Sequence, residues 1–356
     1  MAAVLPTHMK AVLLTGHGGP EKLQYRSDIP LPNVKADEVL IKVGAAGVNN
    51  TDIWAREGAY NTVLGSCQAV GWRGEPLAFP RIQGIDIAGR IVAVGSNIDK
   101  KRVGQRVLVD PVVRLPGDRL YGAGHFGSER DGGFAQFVAA PSESALEVES
   151  ELSDTQLASF PSAYGTALHM LNRARQVAGE IVIVTGASGG VGTGLVQLAK
   201  LRGAEVLAIV GRGKEQEARR IGADYVVERD SADIGNDVRN ALDGREADVL
   251  ADVVGGAAFE VLLQNLRPEG GRYVTAGAIA GPKVTLDLRI LYLRHLELIG
   301  STIWTRNEFK ELVDLVRSGK IVPQVARSYP LSEITKAQEA FKSKDFFGKL
   351  VLIPDD

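Results

Sequence analysis

The sequence predicts an α/β protein with two domains, one β-rich and one a doubly wound parallel sheet. The chain has 356 residues, which is more than a single hydrophobic core usually serves. Short strand-like runs separated by Gly, Pro and Asn fill residues 1–150, whereas apolar strands alternate with amphipathic helices from about Ser153. We assign residues 1–150 and 303–356 to the β-rich domain and residues 151–302 to the parallel-sheet domain.

The β-rich domain is predicted from runs of β-forming residues, at 10–14, 38–43 and 87–94. Two further segments, 61–79 and 114–131, are longer than the loops of a compact barrel usually are. Loops of this length often form lids or pocket walls. Trp72, Tyr121 and Phe126 are the aromatic residues that we expect to line such a wall.

The parallel-sheet domain is predicted from continuous apolar strands, because strands buried on both faces do not alternate with polar residues. The predicted strands are 181–185, 206–210, 225–228, 249–254, 272–276 and 296–300. The predicted helices are 155–175, 190–202, 214–221 and 257–266. A helix at 307–318, a further helix and a strand at 349–353 are predicted to return to the β-rich domain.

Composition and charge exclude several classes of protein. A formal net charge of −2 gives no basic footprint for nucleic acid. The single cysteine, Cys67, allows neither an intramolecular disulfide nor a four-cysteine zinc site. The N-terminus lacks a signal-peptide pattern, and no apolar run is long enough to span a bilayer. We therefore expect a soluble, cytoplasmic protein with no nucleic-acid or membrane partner.

A glycine-rich loop between a buried strand and a helix predicts a dinucleotide site. Glycines 186, 189 and 192 have the spacing that gives a tight turn, a close approach of the backbone to pyrophosphate, and close helix–sheet packing. The free N–H groups at the start of the helix would hold the pyrophosphate. A glycine-rich turn without a ligand is the alternative, and the surrounding βα units favour the cofactor. The predicted contacts are Gly186, Ser188, Gly189, Gly190, Val191 and Gly192.

The choice between NADH and NADPH is predicted from the end of the second strand of the parallel sheet. An acidic residue about 20 positions after the loop would bind the ribose hydroxyls, and this chain has Arg212 there, followed by Lys214. A guanidinium can grip a 2′-phosphate in a planar fork, whereas a carboxylate would repel it. An ordinary solvated arginine is the alternative. The sequence thus favours NADPH.

Several blocks of sequence, in one order along nearly the whole chain, resemble the medium-chain dehydrogenase/reductase superfamily and its zinc-independent quinone oxidoreductase (zeta-crystallin-like) branch. These blocks are Met9-Lys10-Ala11-Val12, Ala45-Ala46-Gly47-Val48-Asn49-Asn50-Thr51-Asp52, Gly84-Ile85-Asp86, the glycine loop, Asp252-Val253-Val254-Gly255-Gly256 and Gly348-Lys349-Leu350-Val351-Leu352. The resemblance implies a GroES-like β-rich catalytic domain, a Rossmann domain and a homodimer.

The zinc-dependent relatives carry three metal ligands at positions where this chain has Asn49, Ile85 and Ser162. Catalytic zinc requires three side chains of the Cys, His or carboxylate type. Isoleucine cannot serve as a ligand, so we predict no metal.

The resemblance also assigns site residues. Asn49 is the leading hydrogen-bond donor to a substrate oxygen, and Tyr60 is the second catalytic candidate; a turn-forming amide and a packed aromatic are the alternatives. Asp52 and Arg56 are expected to be structural and, being four residues apart, able to pair. The remaining predicted cofactor contacts are Thr166, Lys349 and four residues at strand ends, Val254, Gly255, Gly277 and Ala278.

Without zinc, hydride transfer suits substrates that accept it readily, because charge spreads onto an oxygen that a few donors can stabilise. We therefore predict an NADPH-dependent, zinc-independent oxidoreductase acting on quinones or α,β-unsaturated carbonyl compounds. One alternative is a zinc-free NADPH-dependent aldehyde/ketone or enoyl reductase. Another, of a different class, is an NADPH-binding structural or interaction protein with little turnover.

Overall fold

The computed structural model describes residues 5–60, 72, 76–114 and 123–355. Cys67 and Tyr121 lie outside the described residues. The chain divides into two compact units. The first unit contains Met1–Ser162, Thr305–Asp345 and Lys349–Asp356, and the second contains Ala163–Trp304 and Phe346–Gly348. The predicted boundaries were 150 and 303.

A large sheet forms the centre of the first unit, with strand order β10-β6-β5-β3-β18-β17 and β9 also paired with β3. Its longest strand, β3, is antiparallel to β5, and the two pair Gly47 with Asp86. On the other side of β3, Gly47 pairs with Val351 of β18. The strands are β3 (Glu38–Gly47), β5 (Asp86–Val94), β6 (Arg106–Val109), β9 (Phe137–Pro141), β10 (Ala145–Glu147), β17 (Val325–Pro330) and β18 (Lys349–Ile353).

Smaller elements complete the first unit. One sheet has the order β2-β1-β4, and β7 pairs with β8. The strands are β1 (His8–Leu14), β2 (Leu23–Pro30), β4 (Arg81–Ile82), β7 (Val112–Val113) and β8 (Gly124–His125). The helices are α1 (Asn50–Glu57), α2 (Asp154–Leu157), α9 (Arg306–Arg317) and α10 (Ile334–Ser343). Helix α9 shows how they pack, since it buries Phe309, Leu312, Val313 and Val316 at a spacing of three to four residues.

The second unit is a six-stranded parallel sheet with strand order β13-β12-β11-β14-β15-β16. Counted within the unit this is 3-2-1-4-5-6, the order of the Rossmann fold, which confirms the predicted fold class. The strands are β11 (Ile181–Val184), β12 (Glu205–Val210), β13 (Tyr225–Glu228), β14 (Val249–Asp252), β15 (Arg272–Thr275) and β16 (Glu297–Gly300). The helices are α3 (Pro161–Arg173), α4 (Gly190–Leu201), α5 (Glu215–Arg220), α6 (Ile234–Ala241), α7 (Phe259–Leu263) and α8 (Leu288–Leu293), with Pro161 and Ser162 of α3 counted in the first unit.

The single helix predicted at 155–175 is wrong. It is two helices, α2 and α3, because Pro161 has no N–H to continue the first and suits the opening turn of the second. Helices α1, α6 and α8 and strands β2 and β17 are among the elements that were not predicted. Within the described residues, no helix is long and apolar enough to cross a membrane.

Candidate functional site

Three chain segments meet where strands β3, β5 and β18 begin or end in the first unit. Asn49 follows the end of β3, Asp86 opens β5 and Lys349 opens β18. The register requires a glycine between them, since a Cβ on Gly47 would lie 2.8 Å from Asp86 Oδ2 and 2.6 Å from the Ala158 carbonyl. The absence of a side chain there lets the three polar residues converge.

The ammonium group of Lys349 is the positive charge of this cluster. Its Nζ donates to Asn49 Oδ1 at 2.6 Å, to Asp86 Oδ2 at 3.0 Å and to the Val48 carbonyl at 3.1 Å. Three acceptors match the three ammonium hydrogens. The Lys349 side chain is 4% exposed and that of Asp86 is 0% exposed, so this is a buried ion pair.

Asp86 connects the other members of the cluster. Its Oδ2 also accepts from Asn49 Nδ2 at 2.9 Å, and its Oδ1 accepts from the backbone N–H of Ser162 at 2.7 Å. The second amide hydrogen of Asn49 points to the Gly47 carbonyl at 3.3 Å. The side-chain hydroxyl of Ser162 is buried and has no partner among the residues that the structure describes. Asn49, Asp86, Lys349 and Ser162 are called the cation cluster below.

Asp52 lies beside the cation cluster, in the first turn of α1. It accepts a hydrogen bond from the backbone N–H of Asn49 at 2.8 Å. Burial, together with the nearby charge of Asp86, raises the pKa of Asp52 to about 7, although the Asn49 N–H and Lys349 oppose the shift. The expected pair with Arg56 is wrong: the fully buried Arg56 side chain donates to Gln338 Oε1 at 3.1 Å and to a backbone carbonyl at 2.6 Å.

Tyr60, the second catalytic candidate, lies in a row of aromatic rings. Its ring meets that of Trp54 edge to face at 5.7 Å and that of Trp72 at 5.2 Å, and Trp72 in turn meets His125 at 5.3 Å. Burial raises the pKa of the Tyr60 phenol, although a hydrogen bond with Thr51 opposes the shift. The phenol therefore stays protonated at neutral pH.

The predicted entrance residue Phe126 is instead a core residue, because it is fully buried beneath the guanidinium of Arg130.

In the second unit, the glycine loop has the geometry of a phosphate cradle. A Cβ on Gly192 would lie 2.2 Å from the carbonyl oxygen of Gly186, so only glycine fits the contact between helix and loop. A Cβ on Gly189 would meet only the Gly186 carbonyl oxygen, at 3.4 Å, which leaves space over the loop. Helix α4 begins there, and the N–H groups of its first three residues have no acceptor in the part of the chain that the structure describes.

The loop after β12 carries the residues predicted to read the ribose. The Arg212 side chain is 81% exposed and lies 3.6 Å from a Glu228 carboxylate oxygen. Lys214 donates to the carbonyl of Phe346 at 2.9 Å. In the same short segment, the Gly348 N–H donates to the Ser188 carbonyl of the glycine loop. Sequence reasoning missed Arg229, which lies beside this loop. A Cβ on Gly211 would be 3.6 Å from the Arg229 guanidinium. The available signal was its position directly after β13, the neighbour of β12.

The strand ends predicted to contact the cofactor lie at the carboxyl edge of the sheet. The buried Asp252 carboxylate accepts the N–H groups of Val254 and Gly255 and the hydroxyl of Tyr273, which fixes the turn after β14. Gly277 follows β15, and a Cβ there would lie 3.1 Å from the Val253 carbonyl. Ala278 adjoins it in the same turn, and Thr166 is half-buried in α3.

The three positions that the resemblance equates with zinc ligands, Asn49, Ile85 and Ser162, carry an amide, an alkyl group and a hydroxyl. Across residues 5–60, 72, 76–114 and 123–355, no group of three His, Cys, Asp or Glu side chains could hold a metal ion.

Family models match both units. A zinc-binding dehydrogenase model matches residues 190–318, and an alcohol dehydrogenase GroES-like model matches residues 35–150. The chain is 29% identical to an NAD-dependent alcohol dehydrogenase of Sulfurisphaera tokodaii and 28% identical to the quinone oxidoreductase of Sus scrofa. It is 30% identical to the acryloyl-coenzyme A reductase of Metallosphaera sedula. Each alignment covers 97% of this chain and at least 98% of the relative.

Solved structures of other proteins match this chain over nearly its whole length. A Sinorhizobium meliloti 1021 structure whose name suggests an alcohol dehydrogenase is 51% identical, with a TM-score of 0.93, and covers 99% of this chain and 98% of its own. A 2-octenoyl-CoA carboxylase reductase solved with NADP is 25% identical, with a TM-score of 0.84, and covers 99% of this chain and 89% of its own.

These matches define a two-domain oxidoreductase: the chain belongs to the medium-chain dehydrogenase/reductase superfamily. Within it, the motifs and the quinone oxidoreductase relatives give the quinone oxidoreductase-like branch, as the sequence predicted.

Proposed function

We propose that this protein is an NADPH-dependent, zinc-independent reductase of quinones or α,β-unsaturated carbonyl compounds. The observation that carries the proposal is the cation cluster, in which the Lys349 ammonium is hydrogen-bonded to Asn49, the residue at a zinc-ligand position. A buried organic cation at that point offers fixed hydrogen bonds and charge but no open coordination position for an alcohol or carbonyl oxygen. Substrates that spread charge onto oxygen need less help than simple ketones do.

Reduced nicotinamide, when bound, supplies the hydride. The glycine loop suits its pyrophosphate, because the contact at Gly192 excludes any side chain and the start of α4 presents free N–H groups. Asp252 shapes the turn that carries Val254 and Gly255, which would border the nicotinamide side of a bound cofactor. Both amide hydrogens of Asn49, the leading predicted donor, already point to Asp86 Oδ2 and to the Gly47 carbonyl, so Asn49 would act by holding the cation cluster in place. Tyr60 would act as a donor in the substrate site of the first unit.

The preference for NADPH rests on three cations around the loop after β12, Arg212, Lys214 and Arg229. We assign the 2′-phosphate to the Arg212 guanidinium, which is 81% exposed. The Arg229 guanidinium also pairs with Asp230 at 3.1 Å, and the Lys214 ammonium also donates to the Phe346 carbonyl. Some relatives carry NAD in their names, so the preference must be measured. Arg212→Ala should raise the KM for NADPH by roughly 10- to 100-fold, because one charge-assisted hydrogen bond to the 2′-phosphate is lost. The KM for NADH should be unchanged. An equal effect on both cofactors would remove the 2′-phosphate argument.

A side-by-side assay tests the reaction class. NADPH oxidation is measured with 1,4-benzoquinone, 2-cyclohexenone and benzaldehyde, before and after treatment with 1,10-phenanthroline. We expect turnover of the quinone or the enone, unchanged by the chelator. Turnover of benzaldehyde alone would favour the aldehyde/ketone reductase to which the alcohol dehydrogenase relatives point. Cofactor binding without turnover would favour a structural role, and stoichiometric zinc in washed protein would contradict zinc independence.

We further propose a homodimer formed through the second unit. Strand β16 ends the sheet order, and helix α8 exposes Leu288, Tyr292 and Leu293 by 60% or more. An edge strand beside exposed apolar side chains is a surface that a second copy of the chain can cover. Light scattering after size exclusion should give a dimer for the wild type and a monomer for Leu293→Asp. A monomeric wild type would overturn this assignment.

A further inference from the structure

A census of hydrogen-bond donors in the cation cluster leaves one without a partner. All three hydrogens of the Lys349 ammonium have acceptors, and both amide hydrogens of Asn49 point to oxygens. The Ser162 hydroxyl is buried and, within the described residues, has neither donor nor acceptor. The Ser162 backbone N–H donates to Asp86, so its side chain belongs to the same corner of the fold.

The position of Ser162 is fixed by the cluster itself. Its backbone N–H donates to Asp86 Oδ1 at 2.7 Å, while Asp86 Oδ2 holds Lys349 and Asn49. The main chain of Ser162 is thus held in place by Asp86, whereas its side-chain hydroxyl has no hydrogen-bond partner within the described residues. Ser159, three residues earlier, shows the contrast: its hydroxyl donates to the Thr155 carbonyl at 2.9 Å, as a structural serine does.

An unpaired buried hydroxyl is unfavourable for folding, and a hydrogen bond to a ligand oxygen would satisfy it. Ser162 precedes Thr166 by four residues in α3, and residues four apart share one face of a helix. Among the donors of the cation cluster, the Ser162 hydroxyl is therefore the one that could bond a ligand oxygen without breaking a hydrogen bond of Lys349 or Asn49.

We propose that the Ser162 hydroxyl donates a hydrogen bond to the carbonyl oxygen of the enone or quinone substrate. The inference rests on the proposed reductase function. For an enone, hydride from the reduced cofactor forms the new C–H bond at the β-carbon, and the alkene electron pair moves to give an enolate. The cofactor is oxidised by two electrons, and a proton from water then completes the α-carbon. Ser162 keeps its own proton and stabilises the oxyanion while the charge develops.

The test compares three variants by steady-state kinetics with NADPH and 2-cyclohexenone. Ser162→Ala should lower kcat by roughly 10- to 100-fold and leave the KM for NADPH unchanged, because the donor acts on the developing charge. Ser162→Thr keeps a hydroxyl and should retain most of the activity. The matched control, Ser159→Ala, removes a satisfied serine hydroxyl nearby and should leave kcat unchanged.

Thermal unfolding separates a catalytic from a structural role. Removing an unsatisfied buried hydroxyl should leave the Tm of Ser162→Ala equal to or above that of wild type. A clear drop in Tm together with lost activity in both Ala and Thr variants would make Ser162 structural and overturn the proposal. Unchanged kcat in Ser162→Ala would overturn it too.

Infrared spectroscopy of ¹³C=O-labelled 2-cyclohexenone bound to the enzyme with NADP⁺ gives a readout that needs no turnover. The carbonyl stretch should lie at lower frequency in wild type than in Ser162→Ala. If wild type turns nothing over but shows this difference, the reductase function fails and the donor assignment stands. If wild type is active and the difference is absent, the donor assignment fails and the function stands. With neither turnover nor difference, both are wrong.

Discussion

Replacing Lys349 by methionine tests whether the cation cluster stabilises the first unit. The substitution keeps most of the aliphatic length but leaves the fully buried Asp86 carboxylate without its positive partner. Breaking a buried pair in this way usually costs about 3–5 kcal/mol. Two hydrogen bonds to Asp86 remain, from the Ser162 N–H and from Asn49 Nδ2. We therefore expect a loss near the lower end, about 3 kcal/mol.

Urea unfolding followed by circular dichroism measures this loss. The double variant Lys349→Met/Asp86→Asn removes the stranded charge as well, so it should recover part of the stability that the single variant loses. A control is Lys336→Met, since Lys336 pairs with Glu333 at 2.6 Å but is 67% exposed and should contribute less than about 1 kcal/mol. A Lys349→Met protein within about 1 kcal/mol of wild type would refute the reasoning. So would a double variant less stable than the single one.

Two further predictions concern the neighbourhood of the cluster and the cofactor loop. Burial raises the pKa of Asp52 from 3.8 to about 7, so its contribution to stability is fully present below about pH 4 and is lost as pH rises through about 7. Between pH 5 and 8, the free energy of unfolding of wild type should fall by roughly 2–3 kcal/mol more than that of Asp52→Asn. Urea titrations over this pH range measure both proteins, and parallel pH profiles would contradict the raised pKa. Gly192→Ala places a methyl group 2.2 Å from the Gly186 carbonyl, so the loop must move and NADPH affinity, measured by fluorescence titration, should fall at least tenfold. Unchanged affinity would mean that the loop does not hold the pyrophosphate.

The Rossmann sheet could be predicted because its central strands, such as β11 and β12, are short apolar runs that alternate with helical stretches. The cation cluster could not, since Lys349 and Asn49 are 300 residues apart and no local pattern indicates that they meet. The resemblance implied that Lys349 contacts the cofactor, which stays a prediction, but it did not indicate that the Lys349 ammonium bonds Asp86 and Asn49. Arg229 was within reach of sequence reasoning, because parallel pairing of β12 and β13 sets the end of β13 beside the loop that carries Arg212.

The discontinuity of the first unit has a consequence for how the protein is made. Lys349 and Asp86 are separated by 263 residues, and nearly the whole second unit is encoded between the parts of the first. During synthesis, the ribosome must deliver that entire intervening unit before β18 can join β3. Asp86 is therefore made long before its partner, and contacts of such long sequence separation form late. The second unit can therefore fold before β18, the final strand of the first unit, has been synthesised.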